Sequence, residues 1–207
     1  MLETKLFNQK LPNPIGLSAG FDKSAEVYNS LFKFGFGFIE VGTVTPKRQL
    51  GNPKPRIFRL EKDQALINRL GFNNHGSEII FKRISENQPD GFLGINIGPN
   101  KDTKNKEEDY FLCLSRLSTD AGYITINISS PNTEGLRNFH NQEEMKRLLV
   151  GLNKIKKEKK IEQPIAIKIS PDIGEDDIGR IVELVKNQKI QGIIVSNTTD
   201  NNRENLS

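Results

Sequence analysis

Six short apolar runs recur along the chain, and helical stretches separate them. The runs are IGLSAG (15–20), FIEVGTVT (38–45), FLGINIGP (92–99), YITINISS (123–130), IAIKIS (165–170) and GIIVSNTT (192–199). Helix candidates lie at 24–35, 76–87, 106–121, 141–160 and 175–188. Strands alternating with helices of this size predict βα units around a parallel sheet. The stretch KLFNQKLPNP, just before residue 15, predicts a short hairpin leading into the first strand.

Alternation within the runs narrows the fold class. Ile124, Ile126 and Ile128 share one face of their strand, while Thr125, Asn127 and Ser129 share the other. Ile165, Ile167 and Ile169 oppose Ala166 and Lys168, and Ile95 and Ile97 oppose Gly94, Asn96 and Gly98. A doubly wound sheet is apolar on both faces. One branched face and one small or polar face instead predict an α/β fold of the (β/α)8 TIM-barrel type, with chemistry at the C-terminal strand ends. Six strands stand where such a barrel has eight, and barrels of this type run to about 250 residues. The expectation is therefore a single barrel domain over 1–207, truncated after the sixth strand.

Composition supports a globular chain. Leu, Ile, Val and Phe make up 61 of the 207 residues, above the roughly 20% below which chains stay disordered. No apolar run approaches the 18 or so residues that span a bilayer, and the N-terminus lacks a signal-peptide pattern. The net charge of +4 is small, and the lysines of KIKKEKK (154–160) carry no interleaved aromatics. They read as the solvated end of a helix, and no nucleic-acid partner is expected. The single cysteine, Cys113, excludes a disulfide scaffold and reads as a small core residue.

The strand ends collect amides. In order they carry Ala19 to Lys23, Gly42-Thr43, Asn96, Asn127 with Ser129-Ser130-Pro131-Asn132, Lys168, and Ser196-Asn197-Thr198. A carboxamide offers two donors and an acceptor, so several converging amides suit a flat heterocycle rich in N–H and C=O groups. Lys168 sits mid-strand on the face that points inward. It needs either an interior carboxylate or an anionic ligand. Lys23 is placed to meet a substrate carboxylate or simply to start a helix. The segment 46–75 exceeds the 12–15 residues usual for a loop and predicts a lid or substrate wall. Neither His75 nor His140 is forced beside Ser130, no metal-ligand spacing occurs, and GFGF (35–38) is too short to mark a dinucleotide fold.

The stretches NPIGLSAGFDK, EVGTVTPKRQLGNPKPRIFRL, NRLGFNNHG, GINIGPNK, NISSPNTEGLR, IAIKISPD and SNTT, in this order from 13 to 199, resemble the dihydroorotate dehydrogenases, specifically the quinone-dependent class 2 type. The resemblance implies an FMN-containing barrel that oxidises dihydroorotate to orotate in pyrimidine synthesis. A base takes a proton from C5, flavin accepts the C6 hydride, and a quinone reoxidises the flavin. Ser130 stands at the base position, where class 1 relatives have Cys. Ala19, Gly20, Phe21, Asp22 and Lys23 would line the flavin, with Thr43, Asn96, Asn127, Lys168 and Ser196. Asn68, Arg69, Leu70, Gly71, Phe72, Asn127, Asn132, Asn197 and Thr198 would contact substrate, as would Lys23. Ser196 stands where Thr is common in the family, and the hydroxyl is kept.

The family's N-terminal helical extension, which forms its membrane-surface and quinone entry site, has no counterpart in the matching stretches. The full-length enzyme is expected at the cytoplasmic face of the cell membrane as a peripheral protein. Barrel phosphate sites come from the loops after strands seven and eight, so the chain alone is expected to hold FMN weakly or not at all. Three other readings remain: a class 1 enzyme using fumarate or NAD, an inactive barrel fragment, and a flavin barrel acting on RNA. Ser130 opposes the first. The third needs a catalytic Cys at a strand mouth, whereas Cys113 falls within a helix.

Overall fold

The computed structural model describes residues 2–132, 135–201 and 203–206. Thr133 and Glu134, within the SSPNTEGLR motif, lie outside the described residues. The chain opens with the expected hairpin, β1 (Thr4–Leu6) and β2 (Gln9–Leu11). Phe7 and Asn8 form its two-residue turn, both at positive φ, as tight hairpins require. The six predicted strands follow as β3 (Gly16–Leu17), β4 (Phe38–Val44), β7 (Phe92–Ile97), β8 (Tyr123–Asn127), β9 (Ile165–Ile169) and β10 (Gly192–Val195). A second hairpin, β5 (Ile57–Leu60) with β6 (Ala65–Asn68), lies between β4 and β7.

The six strands form one parallel sheet in chain order, from β3 to β10. Each strand adds beside the one before it, which is single winding, and every crossover helix therefore packs on the same face. Residues of both edge strands, Gly16 on β3 and Gly192 to Ile194 on β10, line a common cavity of about 350 Å³ with Phe38, Tyr123 and Lys168. The sheet is thus curled, and its inner face surrounds that space. Phe7, at the tip of the first hairpin, seals the N-terminal end of this interior with its ring 5.4 Å from that of Tyr123.

The branched face packs under the helices. Ile95, Ile97, Ile124, Ile126, Ile165 and Ile167 are fully buried among Ile80 and Ile84 of α2 (Ser77–Glu86), Leu114 and Leu117 of α3 (Lys106–Leu117), and Leu148, Leu149 and Leu152 of α4 (Gln142–Lys159). Ile181, Leu184 and Val185 of α5 (Glu175–Asn187) complete the layer. Each such side chain contributes about 1.5–3 kcal/mol of burial. Side-chain caps start two of these helices: Asn105 accepts from the Glu108 amide and Asn141 from the Glu143 amide. Cys113 is buried in this layer, and burial pushes its thiol well up.

Three expectations need correction. The first helix is a five-residue turn, α1 (Tyr28–Phe32), and not 24–35. Residues before it are held by Asp22, whose carboxylate accepts from the Glu26 and Val27 amides at 2.8 Å, in a geometry that displaces the helix start. The last strand stops at Val195, so 196–199 is loop. The segment 46–75 is structured. It holds the β5–β6 hairpin and is tied back by backbone bonds between Gln49 and Asn74.

Candidate active site

The strand β4 is where the inner face acquires its first functional group. Strict alternation would turn Thr43 toward the helices along with Ile39 and Val41. Instead the register with β7 shifts between Val41 and Val44. Val44 joins the helix-side core, and the Thr43 hydroxyl turns inward to donate to Asn96 Oδ1 at 2.7 Å. Such irregularities re-aim side chains next to active sites. Gly42 makes the shift possible. Its φ is +106°, and a Cβ there would stand 2.4 Å from the Asn96 carbonyl oxygen. Gly42→Ala is expected to cost on the order of 1–3 kcal/mol, seen as a lower urea midpoint together with weaker ligand binding. An unchanged midpoint would show that β4 tolerates the regular register.

From Thr43 a polar network runs both down into the interior and up to the mouth. Downward, Asn96 Nδ2 donates to Glu40 Oε1 at 2.9 Å, and the Glu40 carboxylate also accepts from Tyr123 (2.9 Å) and Thr125 (2.7 Å). Glu40 is buried, and these donors satisfy it as a buried charge requires. Upward, Asn127 Nδ2 donates to Thr43 Oγ1 at 2.9 Å, and Asn127 Oδ1 accepts from the Ser129 amide and hydroxyl. Asn197 Nδ2 reaches Ser129 Oγ at 2.9 Å. Because a carboxylate only accepts, the bonds run in one sense from Glu40 through Asn96, Thr43 and Asn127 to Ser129 and Asn197. The orientation of each amide is thereby set.

Above the network lies a cavity of about 130 Å³. Ala19, Gly20 and Lys23 line it from the loop after β3, and Thr43 from β4. Asn68, Leu70, Gly71 and Phe72 reach it from the segment that follows β5. The wall expected of 46–75 is therefore its C-terminal part. Asn127, Ser130 and Asn132 come from β8 and its loop, Lys168 from β9, and Asn197 and Thr198 from the loop after β10. Ser130 is 6% exposed, and its Oγ accepts from the Asn132 amide at 3.3 Å. Among the described residues neither His75, which faces Arg83, nor His140 hydrogen-bonds Ser130.

Five of the residues singled out in the sequence stand outside this cavity. Asn96 lies beneath it in the network. Asp22 holds the turn that presents Lys23. Phe21 is 68% exposed and lines a neighbouring cleft. The Arg69 guanidinium turns to the Pro55 carbonyl and over the Phe58 ring, and the Ser196 hydroxyl donates to the Asn197 carbonyl.

Two lysines give the cavity its charge. Lys168 is 7% exposed and lines both the cavity and the interior space below it. The interior carboxylate that could have paired with it, Glu40, is occupied by Asn96, Tyr123 and Thr125. Among the described residues Lys168 makes no ion pair. Burial lowers the Lys23 ammonium to about 8, and the charges of Arg56 and Lys168 add to this. Glu40, and an arginine beyond the cavity, Arg137, carried no signal in the sequence. An acid inside an apolar run was the one available hint for Glu40.

The sequence profile of the dihydroorotate dehydrogenase family matches residues 1–206. A dihydroorotate dehydrogenase (quinone) of Bartonella tribocorum is 46% identical over 202 residues, which are 96% of this chain and 56% of that protein. A mitochondrial one of Cyclocybe aegerita is 45% identical over 203 residues, 96% of this chain and 62% of that protein. Among solved structures, dihydroorotate dehydrogenase of Eimeria tenella in complex with ferulenol superposes with a TM-score of 0.92 at 36% identity, covering 99% of this chain and 61% of that one. The chain spans a little over half the length of the bacterial relatives it matches. With nearly every residue under the family profile, relatives 45–46% identical over 96% of its length and a solved member superposing at a TM-score of 0.92, the chain belongs to the dihydroorotate dehydrogenase family.

Proposed function

We propose that this chain forms the substrate side of a quinone-dependent dihydroorotate dehydrogenase, which oxidises dihydroorotate to orotate in pyrimidine synthesis. The observation that carries the reading is the convergence of Lys23, Asn68, Asn127, Ser130, Asn132, Asn197 and Thr198 on one cavity. Dihydroorotate is a cyclic ureide with imide edges and one carboxylate, and it becomes planar as C5 and C6 are oxidised to orotate. The amides suit the edges, and Lys23 suits the carboxylate. Ser130 Oγ takes the C5 proton as its own hydroxyl proton passes on through a water or hydroxyl relay, and the Asn132 N–H donating to that oxygen holds it in place and favours its deprotonated form. Serine at this position, where class 1 members have cysteine, supports a quinone as final acceptor. The full-length enzyme would meet it at the membrane surface. Among the described residues no helix is long and apolar enough to cross a membrane.

FMN, when bound, supplies the acceptor for the C6 hydride. The donor set fits it: Lys168 is a buried lysine that makes no ion pair among the described residues, suited to a ring that gains negative charge. Ala19, Gly20, Thr43, Asn96, Asn127, Lys168 and Ser196 would hold it, with Phe21 and Asp22 shaping the loop beside it.

The test is anaerobic titration of the chain, supplied with excess FMN, with dihydroorotate. Bleaching of the flavin band, restored by a quinone, is the expected result; a chain that neither binds orotate nor bleaches flavin overturns the reading. The charge on Lys23 makes a second prediction. Orotate affinity should be level below pH 8 and weaken above it, approaching about tenfold per pH unit, because the free protein loses the ammonium proton that the bound carboxylate would retain. Calorimetric titrations from pH 6.5 to 9.5 measure this, and a flat profile removes Lys23 from the carboxylate.

A further inference from the structure

The loops after β8 and β10 supply one wall of the cavity, and behind it one side chain joins both to the loop after β9. Arg137 Nε donates to the Ser129 carbonyl at 3.3 Å, Nη1 to Asp200 Oδ1 at 2.8 Å, and Nη2 to Asp172 Oδ2 at 3.0 Å. Asp172 follows β9 and Asp200 follows β10. Asp172 also accepts from the Thr199 hydroxyl at 2.5 Å and the Asp200 amide at 3.2 Å. Burial would raise the Asp172 carboxyl, but the hydrogen bonds from Thr199 and Asp200 and the Arg137 charge outweigh it and hold it at about 2. The carbonyl that Arg137 grips belongs to the peptide linking Ser129 to Ser130. From the front, the same Ser129 is held by Asn127 and Asn197.

We propose that Arg137 is a positioning residue, which sets Ser130 and Asn132 at working distance from Asn197 and Thr198 by clamping the β8 loop to Asp172 and Asp200. The role rests on the reaction proposed above, because Ser130 is the base only there. It needs a planar fork that addresses a carbonyl and two carboxylates at once. A lysine, a point charge on a flexible stem, satisfies one of them. The clamp lies outside the cavity and touches no ring-facing group, so it acts through the loops alone.

The experiment compares wild type with Arg137→Ala, Arg137→Lys and Asp172→Asn, using Arg147→Ala as a control that breaks an exposed ion pair to Glu107 elsewhere. Hydrogen exchange is followed without ligand in the segments 135–141 and 196–201, and orotate affinity is measured separately. The expected result is exchange roughly tenfold faster in both segments for Arg137→Ala and Asp172→Asn, with β7 and α3 unchanged. Orotate binding should fall by about tenfold, Arg137→Lys should restore little of it, and the control should alter nothing. Faster exchange confined to 135–141, or unchanged orotate affinity beside faster exchange, overturns the clamp. If Arg137→Ala fails to fold, Asp172→Asn and Asp200→Asn each remove one arm and decide the matter by the same criteria. A wild-type chain that binds no orotate sinks the proposed reaction instead, and exchange coupling between the two segments still judges the tie.

Discussion

Ser130→Ala should lower dihydroorotate oxidation by about 10²–10⁴-fold, the range a positioned general base contributes, while orotate affinity stays within about threefold. The two readouts separate because Ser130 presents one small oxygen to the cavity, whereas in the proposed reaction the amides of Asn68, Asn127, Asn132 and Asn197, which line the same cavity, would read the ring edges. Serine has a high intrinsic pKa, and neither histidine stands beside it to take its proton among the described residues. What surrounds the oxygen is the Asn132 amide at 3.3 Å and a wall of polar side chains. A base of this kind works only when held in place and kept from bulk water, and 6% exposure meets that condition. Rate and affinity are measured on the same preparation by quinone-coupled turnover and calorimetry. Equal losses in the two would make Ser130 a binding group, and an undiminished rate would move the base elsewhere.

The helical layer was legible because its periodicity is redundant. Ile80, Ile84, Leu114, Leu117, Leu148 and Leu152 recur at helical spacing, and each faces an isoleucine row that alternates at spacing two. Neither pattern survives a shift of register, so the pairing of faces follows from the chain. The inner face was legible where a polar residue interrupts such a row, as at Asn127 and Lys168. It was less so on β4. There the shift at Gly42 and Thr43 exchanges the faces of Thr43 and Val44, and alternation alone assigns both wrongly. Glycine within a strand marks such places without saying which way the chain turns.

Tertiary partners set the remaining features. Glu40 looks like a misplaced acid until Asn96, Tyr123 and Thr125, from two other strands, are brought against it. Arg137 looks like an ordinary loop arginine until residues 35 and 63 positions away in the sequence close around it. The β5–β6 hairpin was hidden because its strands are short and its alternation is broken by the exposed apolar residues Ile57 and Leu66, so a long segment with three prolines read as loop. Arg69 was carried to the substrate by the resemblance. In the structure its guanidinium is committed to the Pro55 carbonyl and the Phe58 ring.

Lys168→Met should change stability and ligand binding in opposite directions. Among the described residues Lys168 has no ion-pair partner, and a buried ammonium of that kind loses hydration that is not replaced. A thioether of similar length fills the same volume without that cost. The variant should gain about 1–2 kcal/mol, a rise of roughly 2–8 °C in melting temperature for a chain of this size. FMN affinity should fall by tenfold or more if, as proposed, Lys168 is the cation that faces the ring. A third consequence needs no flavin. Lys168 is one of the charges that lower Lys23, so its removal should let the Lys23 ammonium persist to higher pH. The break in orotate affinity near pH 8 should then move upward. A lower melting temperature in the variant would mean that the interior supplies Lys168 with a stabilising partner after all, with Glu40 across the same space as the first candidate. Higher stability with an unmoved break would instead separate the two lysines, leaving Arg56 and burial to account for Lys23. Only the combination of a more stable protein, weaker FMN binding and an upward-shifted break fits a cation kept in the strand for a ligand's sake, against the preference of the fold.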